Sequence, residues 1–210
     1  MMIKKVVFVS IVILLGLATA ALAEEPTDTL KKNIDDFIGV LKDPLYKDSA
    51  KEKEQTDNIW DIIERLFFFE GVARLALGKD WDKFSEPEKK EFTDSFTRLL
   101  GNSYLKKIRE GYTNETVQFL DQEVRDDKKG VVRTKIVRQS GDIPVDYSLL
   151  VVQGVWRVYD VKIEGASLVK NYRAQFNQIL MNNTPAQLIE RVKKKVEEQE
   201  KGTEGKDDNV

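Results

Sequence analysis

The sequence predicts an α+β fold in which a four-stranded antiparallel sheet packs against several helices. Three observations carry this. Apolar residues recur at helical spacing on both sides of a central segment. Between about 115 and 163 the period drops to two. The runs in that segment are joined by connections too short for anything but antiparallel neighbours.

The chain opens on a different signal. Lys4 and Lys5 precede an apolar run of about twelve residues, Val6 to Leu17, short for a bilayer span. Ala21-Leu22-Ala23 then offers a small-x-small cleavage signal before Glu24-Glu25-Pro26. Residues 1–23 therefore read as a secretory signal peptide. That leaves one domain over 24–198 and a polar, disordered tail over 199–210. No cysteine follows the apolar run, so no lipoprotein anchor is expected.

The 210-residue chain has neither cysteine nor histidine, and its net charge is −2. Losing Lys4 and Lys5 makes it more acidic. No basic surface invites nucleic acid. Disulfides, thiol catalysis, Ser-His-Asp mechanisms and the usual zinc sites all lack their residues. An exported chain without disulfides fits a bacterial envelope.

The elements follow in order. Leu30, Ile34, Phe37 and Leu41 make an amphipathic helix that Thr27 or Thr29 can cap and Pro44 ends. A second helix runs from about Ser49 to Phe69 and buries Ile59, Ile62, Ile63, Leu66 and Phe67. A short segment, Val72 to Leu77, stops at Gly78. Ser85-Glu86-Pro87-Glu88 is a capping box. The helix it starts carries Phe92, Phe96, Leu99, Leu100, Tyr104, Leu105 and Ile108, and Gly111 closes it.

Strands are expected near 115–125, 131–139, 143–152 and 155–163. In the third, Ile143, Val145, Tyr147, Leu149 and Val151 share a face. In the fourth, Trp156 and Val158 oppose Val155, Tyr159, Val161 and Ile163. A helix from about Ser167 to Asn182 turns Leu168, Val169, Tyr172, Phe176, Ile179 and Leu180 inward. Thr184-Pro185 starts a last helix with a thin stripe of Leu188, Val192 and Val196.

Three segments carry a resemblance. GVARLALGKDW with EKKEFTDSFTRLLGNSYLKKI spans Gly71 to Ile108. IPVDYSLL spans Ile143 to Leu150, and WRVYDVKIEGASLVKNYRAQFNQIL spans Trp156 to Leu180. Together they resemble the MlaC-type family of periplasmic phospholipid-binding proteins, the toluene-tolerance family. The resemblance implies a sheet and helices clasping acyl chains in an apolar cavity. It also implies a shuttle between an outer-membrane lipoprotein complex and an inner-membrane ABC transporter with an MCE-type subunit, maintaining outer-membrane lipid asymmetry.

The residues support a lipid carrier independently. Two acyl chains present about thirty methylenes, and at ~0.8 kcal/mol each the cost of leaving a bilayer unaided is on the order of 20 kcal/mol. A carrier needs apolar bulk and few polar anchors, not a nucleophile, base or metal. No cofactor is expected; phospholipid would be cargo, and the carrier a monomer.

The helices from Glu86 and Ser167 are the expected cavity walls, through Phe96, Leu100, Tyr104, Tyr172, Phe176 and Ile179. Strands would add Tyr147, Leu149, Val151, Trp156 and Val158. Each is equally suited to an ordinary core, and the pattern does not orient the sheet's faces. Arg173 and Arg98 could meet a phosphate or form surface ion pairs. Tyr104, Tyr147 and Tyr172 could bond lipid esters. Alternatives stay open: a hopanoid in place of phospholipid, a protein-binding adaptor without a cavity, or an isomerase-like enzyme pairing Asp160 with Tyr147.

Overall fold

The structure, a computed structural model, describes residues 25–202. The signal-peptide expectation for 1–23 and most of the expected tail lie outside the described residues. The first helix, α1, is Pro26–Lys42. It starts on a proline, whose fixed φ suits the first helical position. Neither threonine caps it. Thr27 instead donates its hydroxyl to Gln122 (2.6 Å), and Thr29 is buried within the helix.

Two 3-10 turns, each opened by an aspartate accepting a backbone N–H, lead into α2, Glu52–Leu66. The single helix expected to Phe69 breaks at Phe67, whose backbone is extended. There the chain touches the sheet: Phe67 bridges Val158, and the N–H of Phe68 donates to the Val158 carbonyl at 2.8 Å. The chain resumes as α3, Phe69–Leu77, and stops at Gly78 with φ +56°, a conformation glycine adopts without strain. Helix α4, Glu86–Gly111, begins with the anticipated capping box of Ser85 and Glu88.

The sheet runs in linear order through β1 (Thr116–Arg125), β2 (Lys129–Val137), β3 (Ile143–Val152), β4 (Val155–Ile163) and a two-residue β5 (Ala166–Ser167). All pairs are antiparallel. β5 goes beyond the four expected strands; it forms because the turn at Glu164-Gly165 folds the chain back onto Lys162 and Ile163. Helix α5, Leu168–Leu180, is capped by the Ser167 side chain, and α6, Pro185–Glu200, by Thr184.

Two extra residues bend the sheet. Leu120 is unpaired between Phe119 and Asp121, and Tyr159 between Val158 and Asp160. A bulge of this kind shifts everything beyond it to the other face. Val161 and Ile163 therefore join the face of Trp156 and Val158, not the opposite one as the alternation implied.

Helix α6 also runs past residue 198, where the tail was expected. Gln199 donates to the Ser103 hydroxyl at 2.7 Å and Glu200 pairs with Arg98 at 2.7 Å, so α4 holds this last turn in place.

The buried apolar residues form two clusters. One is helical, built from α3, α4, α5 and α6. The other lies between the sheet and the α1–α2 pair. Where the halves meet, α2 lies on α4. A Cβ at Gly101 would overlap the indole of Trp60, and Arg109 of α4 reaches Thr56 and Glu52 of α2.

Candidate functional site

The helical cluster is filled by its own aromatic rings. Phe96 meets Tyr172 edge-on at 4.9 Å and Phe176 at 5.1 Å; Phe92 meets Phe176 at 5.3 Å. Phe96, Tyr172 and Phe176 are at most 1% exposed. Leu100 belongs to the same cluster, with Tyr104 and Ile179 packed on its margin. The six helical residues expected to wall a cavity thus sit together in a close-packed core. The strand residues belong to the other cluster, and α3 and α5 pack on β4 between them.

The arginines are engaged in the fold. Arg173 donates its Nε to the Leu75 carbonyl at 2.6 Å and lies against Gly78, tying α5 to the end of α3. Arg98 forms the exposed ion pair with Glu200.

The strand residues meet on one face, the inner face, against which α1 and α2 pack. Cross-strand register arranges it as successive rungs. Val151 pairs with Trp156; Gly130, Leu149 and Val158 form the next rung; Val132, Tyr147 and Val161 the third. Phe119, Thr134, Val145 and Ile163 make the fourth, and Val117, Ile136 and Ile143 the fifth. No residue on these rungs is charged.

Leu30 of α1 and Leu66 of α2, with Ile34 and Phe67 beside them, cover this face around Val132, Leu149, Trp156 and Val158. Towards the fifth rung the cover thins. Phe119, Ile136, Ile143, Tyr147 and Val161 are half-buried, and Ile163 is 40% exposed. The result is a largely apolar track whose fourth rung still buries Thr134 and Val145 and whose fifth rung is half-buried.

Two hydroxyls stand on the inner rungs of this track. That of Thr134 donates to the Val145 carbonyl at 2.9 Å. That of Tyr147 has no hydrogen-bond partner among the described residues, and burial pushes its pKa up to about 12. Such a phenol stays neutral and serves poorly as a base near neutrality.

Asp160 cannot help it. Asp160 pairs with Ser148 across the strands, whereas Tyr147 pairs with Val161, so the two project from opposite faces. The Asp160 carboxylate accepts from the Ser167 hydroxyl (2.7 Å) and the Val169 N–H (3.1 Å), fixing the start of α5. The acid–base pair proposed for an isomerase is not assembled. Among the described residues there is also no group of three or more acidic side chains placed to hold a metal ion, and no helix long and apolar enough to cross a membrane.

Sequence reasoning missed the cover. Leu30, Ile34 and Leu66 were legible as helix stripes, but nothing in their spacing says which surface they close. Phe119 and Val161 were hidden by the two bulges.

This geometry defines a class: an α+β protein whose antiparallel sheet keeps an uncharged apolar face under a helical cover. The comparisons agree. The MlaC protein family model matches residues 31–194, and the chain belongs to that family. It is similar to the toluene tolerance protein ttg2D of Pseudomonas putida, with 23% identity over 167 residues, 77% of this chain and 75% of that one. A phospholipid-binding protein from Ralstonia solanacearum, solved in complex with a phospholipid, shares the fold at a TM-score of 0.73 and 20% identity, covering 84% of this chain and 99% of that one.

Proposed function

We propose that this protein is a phospholipid carrier that holds acyl chains on the inner face of its sheet. The observation that carries the reading is the five-rung track itself: largely apolar, uncharged, buried at the Leu149–Val158 rung and half-buried at the Val117–Ile136–Ile143 rung. At ~25 cal/mol per Å² a surface of this kind is costly to leave in water and is stabilised by covering it with hydrocarbon. Family membership and the phospholipid in the Ralstonia solanacearum protein support the same cargo.

On this reading the chain carries lipid without transforming it and needs no cofactor. It works as a monomer in the periplasm after loss of residues 1–23. Its route runs between an outer-membrane lipoprotein complex and an inner-membrane ABC transporter with an MCE-type subunit, preserving outer-membrane lipid asymmetry.

Cargo contact falls to the strand residues Tyr147, Leu149, Val151, Trp156 and Val158, joined by Val161 and Phe119. Leu100, Tyr104 and Ile179 are proposed to border the site from the helical side, while Phe96, Tyr172, Phe176 and Arg173 support it through the fold. Transfer of a fluorescent phospholipid between two vesicle populations separated by a dialysis membrane tests the function. Transfer that requires the protein is the expected result; none, with folded protein present, would contradict it.

A further inference from the structure

The helical cover of the inner face is fastened differently along its two sides. Leu30 of α1 packs in one cluster with Val132, Leu149 and Val158, and all four are fully buried. Hydrocarbon can touch them only if α1 and α2 shift against the sheet. These two helices are bound to each other: Arg65 of α2 donates to Asn33 of α1 at 2.9 Å and pairs with Asp36, and Gln55 donates to the Val40 carbonyl at 3.3 Å. On the β4 side the fastening runs through backbone. The Phe68 N–H, just past α2, donates to the Val158 carbonyl at 2.8 Å, and Arg157 of β4 donates to the Glu64 carbonyl at 2.9 Å.

On the β1 side, Gln122 fastens the start of α1. Its Oε1 accepts from the Thr27 hydroxyl at 2.6 Å and the Thr27 N–H at 3.2 Å, and its Nε2 donates to Glu25 at 2.9 Å. Glu25 gives α1 no side-chain cap, so the Gln122 oxygen fills that role from another element. All three bonds are exposed, and a bond that water can replace holds weakly. A cleft of about 320 Å³ lies beside them, lined by Glu25, Thr27, Asp28 and the stretch from Phe119 to Gln122. β1 is the edge of the sheet, and its bulge leaves Leu120 53% exposed there. Phe119 lines the cleft and packs on the inner-face cluster, so cleft and track share a wall.

We propose that acyl chains enter and leave the track sideways, between α1 and β1, when Gln122 releases Thr27 and Glu25 and the α1–α2 pair swings on its attachment to β4. This rests on the carrier reading above and adds the route to it. Entry from the fifth rung would instead thread each chain lengthwise past all five, a path of about 27 Å at ~3.4 Å per residue. The lateral route costs three exposed hydrogen bonds. The apolar contacts that Leu30 and Ile34 give up are replaced as the incoming chains cover the same surface.

The chain has no cysteine, so introduced pairs can be bridged selectively by a short bis-maleimide. Thr27→Cys with Gln122→Cys fixes α1 to β1; Glu64→Cys with Arg157→Cys fixes α2 to β4. Transfer of a fluorescent phospholipid between vesicle populations is measured for each pair before and after bridging. Bridging 27 to 122 is expected to slow transfer about tenfold, and bridging 64 to 157 by less than about twofold. Gln122→Ala, left unbridged, should transfer about fivefold faster than the wild type, the worth of one hydrogen bond. Unchanged transfer with 27 bridged to 122, equal slowing by both bridges, or slower transfer by folded Gln122→Ala would overturn the lateral route and leave the carrier reading standing. A wild type that transfers no lipid would sink the carrier reading, and the route with it.

Discussion

The indole of Trp60 on α2 lies directly against the backbone of Gly101 on α4, where a Cβ would overlap its six-membered ring. This contact, with Arg109 bonded to Thr56, is one place where the two halves meet, beside the packing of α3 and α5 on β4. Alanine at 101 would gain about 1 kcal/mol of helix propensity but meet an overpacking cost of about 1–3 kcal/mol. Gly101→Ala is therefore expected to lower stability by about 1 kcal/mol in urea titration. A raised midpoint would show that Trp60 swings aside freely and that the junction is loose.

Phe176 is fully buried among Phe92, Phe96 and Tyr172. Truncating it leaves a void in a close-packed ring cluster, so Phe176→Ala should cost about 3–5 kcal/mol. The loss is expected in the lipid-free protein as much as in the loaded one. A variant that keeps wild-type stability when stripped, and loses only lipid uptake, would move Phe176 from the core to the cargo site.

Asp160 holds the start of α5 through Ser167, whose hydroxyl also accepts the Lys170 N–H at 3.1 Å. Removing the carboxylate in Asp160→Ala strips Ser167 and Val169 of an acceptor, a loss of about 1–2 kcal/mol. Lipid transfer below the new melting temperature should match the wild type. Selective loss of a chemical conversion in that variant would restore the enzyme reading.

Tyr147 ties stability to alkaline pH. An ordinary phenol ionises near 10 in the unfolded chain, and burial holds this one near 12 in the fold. The fold favours the protonated form, so this contribution is complete below pH 10 and is lost as pH rises through 12, at about 1.4 kcal/mol per pH unit. The wild type should lose stability more steeply than Tyr147→Phe between pH 10 and 12. Parallel curves for the two proteins would mean that the phenol is solvated in the fold.

Much of the sheet was readable because alternation and short turns are local. β3 and β4 end at the residues the pattern suggested, and Gln153-Gly154 makes the tight turn with positive φ at both positions. The bulge at Tyr159 was not readable. Val155, Tyr159, Val161 and Ile163 look like one continuous face, and only pairing with β3 shows the extra residue. The break at Phe67 was invisible for a similar reason. Three phenylalanines in a row carry no glycine or proline, and it is the Val158 carbonyl that draws the backbone out of the helix.

The candidate site divides along the same line. Helical stripes announce burial, so Phe96, Tyr172 and Phe176 were identifiable as inward residues. Their partners were not, since tertiary pairing leaves no mark in periodicity. Arg173 illustrates the point: a cation among apolar helix residues suggested a phosphate, whereas a backbone carbonyl 98 residues away receives it.

The central claim is that the inner face between Leu149 and Ile143 is completed by acyl chains. Organic extraction of protein purified from the periplasm of its expression host, followed by mass spectrometry of the extract, measures this directly. Phospholipid in stoichiometric amount, reduced on replacing Val161 with aspartate while the fold is retained, is the predicted result. Protein that emerges folded but free of lipid, and takes none up from vesicles, would contradict the account.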